Sequence, residues 1–292
     1  MKFKDIIEIL RPINDIMGTL TVVIGILNTR TGIPLQALIL NVLFGILTYF
    51  FIAGSGMVIN DYYDFKSGID VINRPERPIP SGRINTKQAI IIWICSLIIG
   101  ISISIIHSFL MILGPLNIII VCFFGFIGWF YAKWGKKSGF LGNLVVSVSF
   151  SIGLLYGAIL NNSNIPNYIY YFFFTSFFLL LSREIIKGCE DVEGDKKYGV
   201  KTLAITLGIK KAKYFALVSA ILSVIFFILP LTTNIINPIL FLVSMLFGLI
   251  IVIIAIILMI TPNVEKNYFK KISLLLKVGA LLGLIAFVFA SI

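Results

Sequence analysis

Charge is scarce in this chain of 292 residues: Asp, Glu, Lys and Arg together make up 13% of it, against about 25% in soluble domains. There is one histidine, His107, and there are three cysteines. So little polar material cannot cover a water-facing surface when apolar residues make up 59% and the mean hydropathy is +1.03. The soluble two-domain protein that the length alone suggests is therefore excluded. Cys95, Cys122 and Cys189 have no ligand-like spacing and fall in or beside predicted helices, which excludes a zinc site or disulfide framework. All three read as small, buried packing residues. The first fifteen residues hold Asp5, Glu8 and Asp15 and no small-residue cleavage site, so the first apolar run is expected to stay in the protein.

What the chain has instead is long apolar runs. A membrane helix needs about 20 mostly apolar residues to cross about 30 Å of hydrocarbon. Nine runs meet that requirement, at residues 14–31, 36–59, 88–107, 113–132, 140–160, 167–187, 211–231, 236–260 and 272–291. They are apolar around the whole circumference, which predicts helices rather than the alternation of a membrane barrel. The expected fold is an all-α polytopic bundle forming one intramembrane domain over residues 1–292.

The net charge of +11 then acquires a place. With these nine spans, every basic residue except Arg30 falls in segments on one side, as cytoplasmic loops require. This predicts a cell-membrane protein with its N-terminus inside, its C-terminus outside and its polar, chemical face cytoplasmic. The basic loops are separate from one another, so topology and lipid headgroups account for them and a nucleic-acid partner is not expected.

Carboxylates are costly near lipid, and here they gather. One cluster, Asn60-Asp61-Tyr62-Tyr63-Asp64 with Asp70 beyond, ends the second span; another, Glu184 and then Glu190-Asp191-Val192-Glu193-Gly194-Asp195, ends the sixth. On continuous helices Asn60 and Asp64, and likewise Asp191 and Asp195, share a face. Both spans have the same parity, so both clusters belong at one membrane side. Such hard oxygen donors suit Mg²⁺, which commonly takes one or two carboxylates together with substrate phosphates. Only six of the basic residues are Arg, yet Arg74, Arg77 and Arg83 follow the first cluster directly, and Arg183 precedes the second. The planar guanidinium fork matches phosphate oxygens better than a lysine point charge does. Pro75, Pro78, Pro80 and Gly82 stiffen the Arg-rich segment, which is expected to act as a lid. Lys187, three after Glu184 and four before Asp191, reads equally as a structural partner of these acids or as a phosphate ligand.

These motifs, with Asn73-Arg74-Pro75-Glu76-Arg77-Pro78-Ile79-Pro80-Ser81-Gly82 between them, resemble the UbiA-type intramembrane prenyltransferases over almost the whole chain. That resemblance implies transfer of a prenyl chain from a diphosphate to an acceptor within the membrane. It implies Asn60, Asp61, Asp64, Asp191 and Asp195 as the Mg²⁺ and diphosphate ligands, with Asp64 and Asp191 central to catalysis. It also points to Tyr131 and Lys136 for diphosphate, beside the Arg74, Arg77 and Lys187 suggested by residue chemistry, and to Arg11 and Asn14 at the acceptor. In one respect the chain departs from the family. The third Asp often follows the second by four residues, where this sequence has Gly68, and Asp70 arrives six after Asp64. Within the family, the Arg-Pro-x-Arg-Pro-Ile-Pro-Ser-Gly and Glu-Asp-x-Glu-Gly-Asp forms look most like an archaeal subfamily. Its members join geranylgeranyl diphosphate to the hydroxyl of the lipid-phosphate acceptor geranylgeranylglyceryl phosphate. Prenylation of an aromatic quinone precursor is the alternative, and a transporter a weaker one, since no acid is predicted near the midplane where transporter sites usually lie.

Overall fold

A computed structural model describes residues 2–161, 164–197 and 199–292, without the side chains of Ile13, Asn14, Ile72, Asn73, Lys136, Lys137 and Lys197. Among the described residues there are helices and turns and no strand. Eight helices among the described residues are long and apolar enough to cross a membrane, and nine if the first two are taken as one bent span. The chain is a multi-pass membrane protein.

Two compact units make up the fold, Met1–Val23 with Ile33–Lys136, and Ile24–Gly32 with Lys137–Ile292. The first contains α1 (Phe3–Leu10), most of α2 (Pro12–Asn28), α3 (Leu35–Lys66), α4 (Ile69–Asn73), α5 (Thr86–Met111) and α6 (Leu116–Lys133). In it α3 packs against α5 and α6. Small residues let the backbones approach: a Cβ on Gly128 would meet the Cα of Gly56 at 3.4 Å, the close crossing that membrane helices use in place of hydrophobic drive.

The length of α3 positions the first acidic cluster. Its 32 residues extend about 48 Å at 1.5 Å per residue, well beyond about 30 Å of hydrocarbon. The surplus turns at its C-terminal end carry Asn60 to Asp64. At the other end of α3, Asn41 Oδ1 lies 2.8 Å from Nε2 of the buried His107, whose ring stacks on Phe44. The lone histidine is thus a packing residue remote from the acids.

The second unit comprises α7 (Phe140–Asn161), α8 (Asn167–Glu190), α9 (Val192–Lys197), α10 (Leu203–Thr206), α11 (Ile209–Ile228), α12 (Pro238–Ile260) and α13 (Lys266–Phe289). Here α8 is central, packing against α7, α11 and α13. Phe172, fully buried, stacks on Phe287 with ring centroids 3.9 Å apart, so this phenylalanine serves packing. Of the cysteines only Cys189 is buried. Cys95 and Cys122 are exposed on α5 and α6, contrary to the expected burial: an all-round apolar helix does not reveal which face meets lipid.

Lys213 was not singled out by its spacing. It is buried on α11, where its ammonium donates to the carbonyls of Thr261 and Asn263 just beyond α12. A cation at a helix C-terminus satisfies the carbonyls left over there. Lys213→Met should lower stability by about 1–3 kcal/mol. Thermal unfolding in detergent checks this, with the Michaelis constants of the surviving protein unchanged.

Candidate active site

The carboxylates of the first unit converge. Asp61, Asp64 and Asp70 are all buried, and one oxygen from each lies within 4.8 Å of the others. The unbroken helix places Asp61 and Asp64 on one face, and Asn60 Nδ2 donates to Asp64 Oδ2 at 2.9 Å. Asp70 arrives differently. After Ser67 ends α3, Gly68 adopts φ +80°, in the left-handed region where a Cβ is disfavoured. The chain reverses there into the single turn of α4, bringing Asp70 back beside Asp61 and Asp64. The residue that breaks the family's usual spacing is the one that makes the longer spacing work.

Two arginines sit on these acids. Arg77 Nη1 donates to Asp61 Oδ1 at 3.0 Å and to Asp70 Oδ2 at 2.6 Å, while Arg11 Nη2 is paired with the same Asp61 oxygen. Buried carboxylates require such partners. Arg11 was expected at the acceptor; the structure joins it to the carboxylate cluster. It caps α1 with φ +52°, and its backbone N–H bonds the carbonyl of Glu8. Beside the cluster lies a cavity of about 330 Å³ lined by Glu8, Arg11, Asp61, Arg74, Glu76, Arg77 and Pro78. Arg74 is exposed and reaches this cavity.

The Pro-rich segment forms a fixed wall of the cavity. Tight turns fold it, with Arg77 N–H on the Arg74 carbonyl at 3.2 Å and Ile84 N–H on the Pro78 carbonyl at 2.9 Å. Ile79 and Ile84 are buried with Ile9 and Leu10 of α1 and Val58 of α3. The expected lid is thus anchored by its own apolar residues. Arg83 leaves this wall to bond Asp5 and Glu8. Its guanidinium holds the Glu8 carboxyl below the ordinary carboxylate range. Asp5 is lowered first by the backbone N–H of Lys2 and then by Arg83. Because both folded values are depressed, the pairing stabilises the fold fully at neutral pH and is lost only as acid protonates these groups below their usual range.

In the second unit the acidic helix does not run on through its cluster. It ends at Glu190; Asp191, exposed, is the junction, and α9 begins at Val192. The four-residue relation survives, since Asp195 N–H bonds the Asp191 carbonyl at 2.9 Å. Glu184 takes Arg183 at 2.6 Å, and the more exposed Lys187 approaches it at 4.0 Å. Tyr131 is half-buried near the end of α6, where it packs on Gly135. The side chains of Lys136 and Asn14 lie outside the described residues.

Three buried carboxylates with converging oxygens form a hard donor set that fits a divalent cation. The neighbouring guanidiniums, able to fork onto phosphate, fit a polyanion bound beside that cation. A helical membrane protein with this cluster has the donors to hold a divalent cation and a phosphorylated ligand together. The UbiA prenyltransferase family matches residues 19–289, and the chain belongs to that family. It is a prenyltransferase.

A digeranylgeranylglyceryl phosphate synthase of Korarchaeum cryptofilum is 34% identical over 279 residues, spanning 96% of this chain and 94% of that protein. A solved structure described as digeranylgeranylglyceryl phosphate synthase in membranes is similar at TM-score 0.81 and 32% identity, covering 99% of this chain and 98% of the other. A UbiA homologue from Archaeoglobus fulgidus, solved bound to GPP and Mg²⁺, shares the fold at TM-score 0.69 and 17% identity, covering 97% and 99%.

Proposed function

We propose that this protein transfers the geranylgeranyl group of geranylgeranyl diphosphate to the free hydroxyl of geranylgeranylglyceryl phosphate, forming the second ether of an archaeal membrane lipid. The observation that carries the choice of substrates is the near full-length similarity to digeranylgeranylglyceryl phosphate synthases. The buried carboxylate and arginine cluster supplies the chemistry such a transfer needs.

Mg²⁺, when bound, withdraws charge from the departing diphosphate. Asn60, Asp61, Asp64 and Asp70 on the first cluster, with Asp191 and Asp195 on the second, are the residues proposed to hold it and the diphosphate. The participation of the second cluster rests on the sequence, from its equal-parity span and its family motif. Arg77, held between Asp61 and Asp70, is fixed beside those oxygens. A fixed cation there stabilises the leaving group more as its charge develops than before. Arg74, Lys136, Lys187 and Tyr131 are proposed as further diphosphate contacts, and Arg11 and Asn14 as residues between diphosphate and acceptor. The anchored Pro-rich wall keeps water from the allylic centre while the acceptor oxygen bonds to the allylic carbon, the carbon–oxygen bond to diphosphate breaks and the hydroxyl proton passes to the departing diphosphate.

The same proposal takes α2 as a ninth span, residues 1–292 as one catalytic domain, the N-terminus as cytoplasmic and the C-terminus as external. The active site then opens at the cytoplasmic face of the cell membrane. The one-sided distribution of basic residues supports this orientation.

Incubating the detergent-purified protein with Mg²⁺ and both substrates should yield a doubly prenylated glycerol phosphate by mass spectrometry, lost on adding EDTA. If that product is absent and a dihydroxynaphthoate is prenylated in its place, the acceptor is an aromatic quinone precursor and the proposal fails.

A further inference from the structure

Arg83 spends its whole hydrogen-bonding capacity on two separate stretches of chain. Nη1 donates to Glu8 Oε2 at 2.6 Å and Asp5 Oδ1 at 3.1 Å, Nη2 to Glu8 Oε1 at 2.7 Å and the Glu76 carbonyl at 2.6 Å, and Nε to Ser81 Oγ at 3.0 Å. That accounts for all five N–H groups of a guanidinium. Asp5 and Glu8 lie on α1, whereas Glu76 and Ser81 lie in the Pro-rich wall.

Each anchor stands next to a site residue. Glu8 precedes Arg11 by three residues and accepts its backbone N–H. Glu76 immediately precedes Arg77. Arg11 and Arg77 then meet on one oxygen, Asp61 Oδ1. Glu8, Arg11, Glu76 and Arg77 also line the same cavity. Exposed ion pairs ordinarily stabilise little, but this one closes a ring: α1, Arg11, Asp61, Arg77, Glu76 and back through Arg83.

We propose that Arg83 is a positioning residue, a strap that holds α1 to the Pro-rich wall so that Arg11 and Arg77 converge on Asp61. Arg83 touches neither the carboxylate cluster nor, on the present reading, any reacting atom. It acts through the two arginines it sets in register. Lysine cannot replace it, because a single ammonium has three donors and no planar fork for the Glu8 carboxylate. The inference rests on the functional reading of this cavity.

The test compares Arg83→Ala and Arg83→Lys with the unaltered protein in detergent, by hydrogen exchange and by steady-state kinetics. Exchange of the α1 amides should speed up in both variants while α8 and α13 keep their protection. The Michaelis constant for the prenyl diphosphate should rise about tenfold or more, the scale on which outer-shell partners act. Combining Arg83→Ala with Arg11→Ala should cost clearly less than the product of the two single effects, since part of the strap's effect runs through Arg11 and the rest through Arg77. Unchanged α1 exchange, unchanged kinetics in Arg83→Ala, or multiplying effects in the double variant would overturn the inference. Failure of the functional reading looks different: the unaltered protein then makes no prenylated product, and the exchange of α1 alone decides for or against the strap.

Discussion

Asp64→Ala should lower prenyl transfer by about 10²–10³-fold in kcat, the range seen when one preorganised stabiliser of developing charge is removed. Asp64 is buried, is fixed by the amide of Asn60 and sits within 4.8 Å of the Asp61 and Asp70 oxygens. It is a cleaner probe than Asp61. Asp61 holds Arg11 and Arg77 together, so its removal would leave two guanidiniums without a shared carboxylate and confuse loss of chemistry with loss of fold. Turnover of the Asp64→Ala protein, eluting from size exclusion like the unaltered protein, checks the expectation. Near-normal activity would remove Asp64 from the catalytic machinery.

Asp70→Ala should be as damaging, by about 10² or more in kcat. Two losses add up there. The cluster gives up one of its three oxygens, and Arg77 gives up its 2.6 Å partner, the shorter of its two carboxylate contacts. Asp70→Asn separates them, because an amide oxygen can still accept from Arg77 but brings no charge to a cation. Its activity should fall between those of Asp70→Ala and the unaltered protein. Full activity in Asp70→Ala would mean that the third carboxylate of this chain is an accessory of the fold.

The role of Asp70 also shows where reading the sequence stops. A four-residue spacing can be seen by eye because the helix enforces it, and so Asn60, Asp61 and Asp64 were legible on α3. A six-residue spacing carries no such rule. Only the left-handed Gly68 and the one-turn α4 return Asp70 to the cluster. Likewise the apolar runs revealed eight membrane helices, with ends displaced by up to seven residues where α3 runs on to Lys66, because burial in lipid demands unbroken hydrophobicity. They left unseen the separate amphipathic α1, too short and too charged to register as a span. Arg11 to Asp61 and Arg83 to Glu8 join residues 50 and 75 positions apart, and no local period encodes such pairs. In the second unit Asp191 and Asp195 are four residues apart across a helix junction rather than on one continuous helix. A backbone N–H to carbonyl bond preserves the spacing across the junction.

The central claim is that Asp61, Asp64 and Asp70 hold the cation that works on a prenyl diphosphate. The most direct measurement is a structure with Mn²⁺, standing in for Mg²⁺, and a non-reactive geranylgeranyl thiodiphosphate, with the metal located by its anomalous scattering. The account predicts a peak among the oxygens of these three carboxylates with the diphosphate beside it. A bound diphosphate whose metal lies elsewhere, with no peak among the oxygens of the three carboxylates, would contradict it.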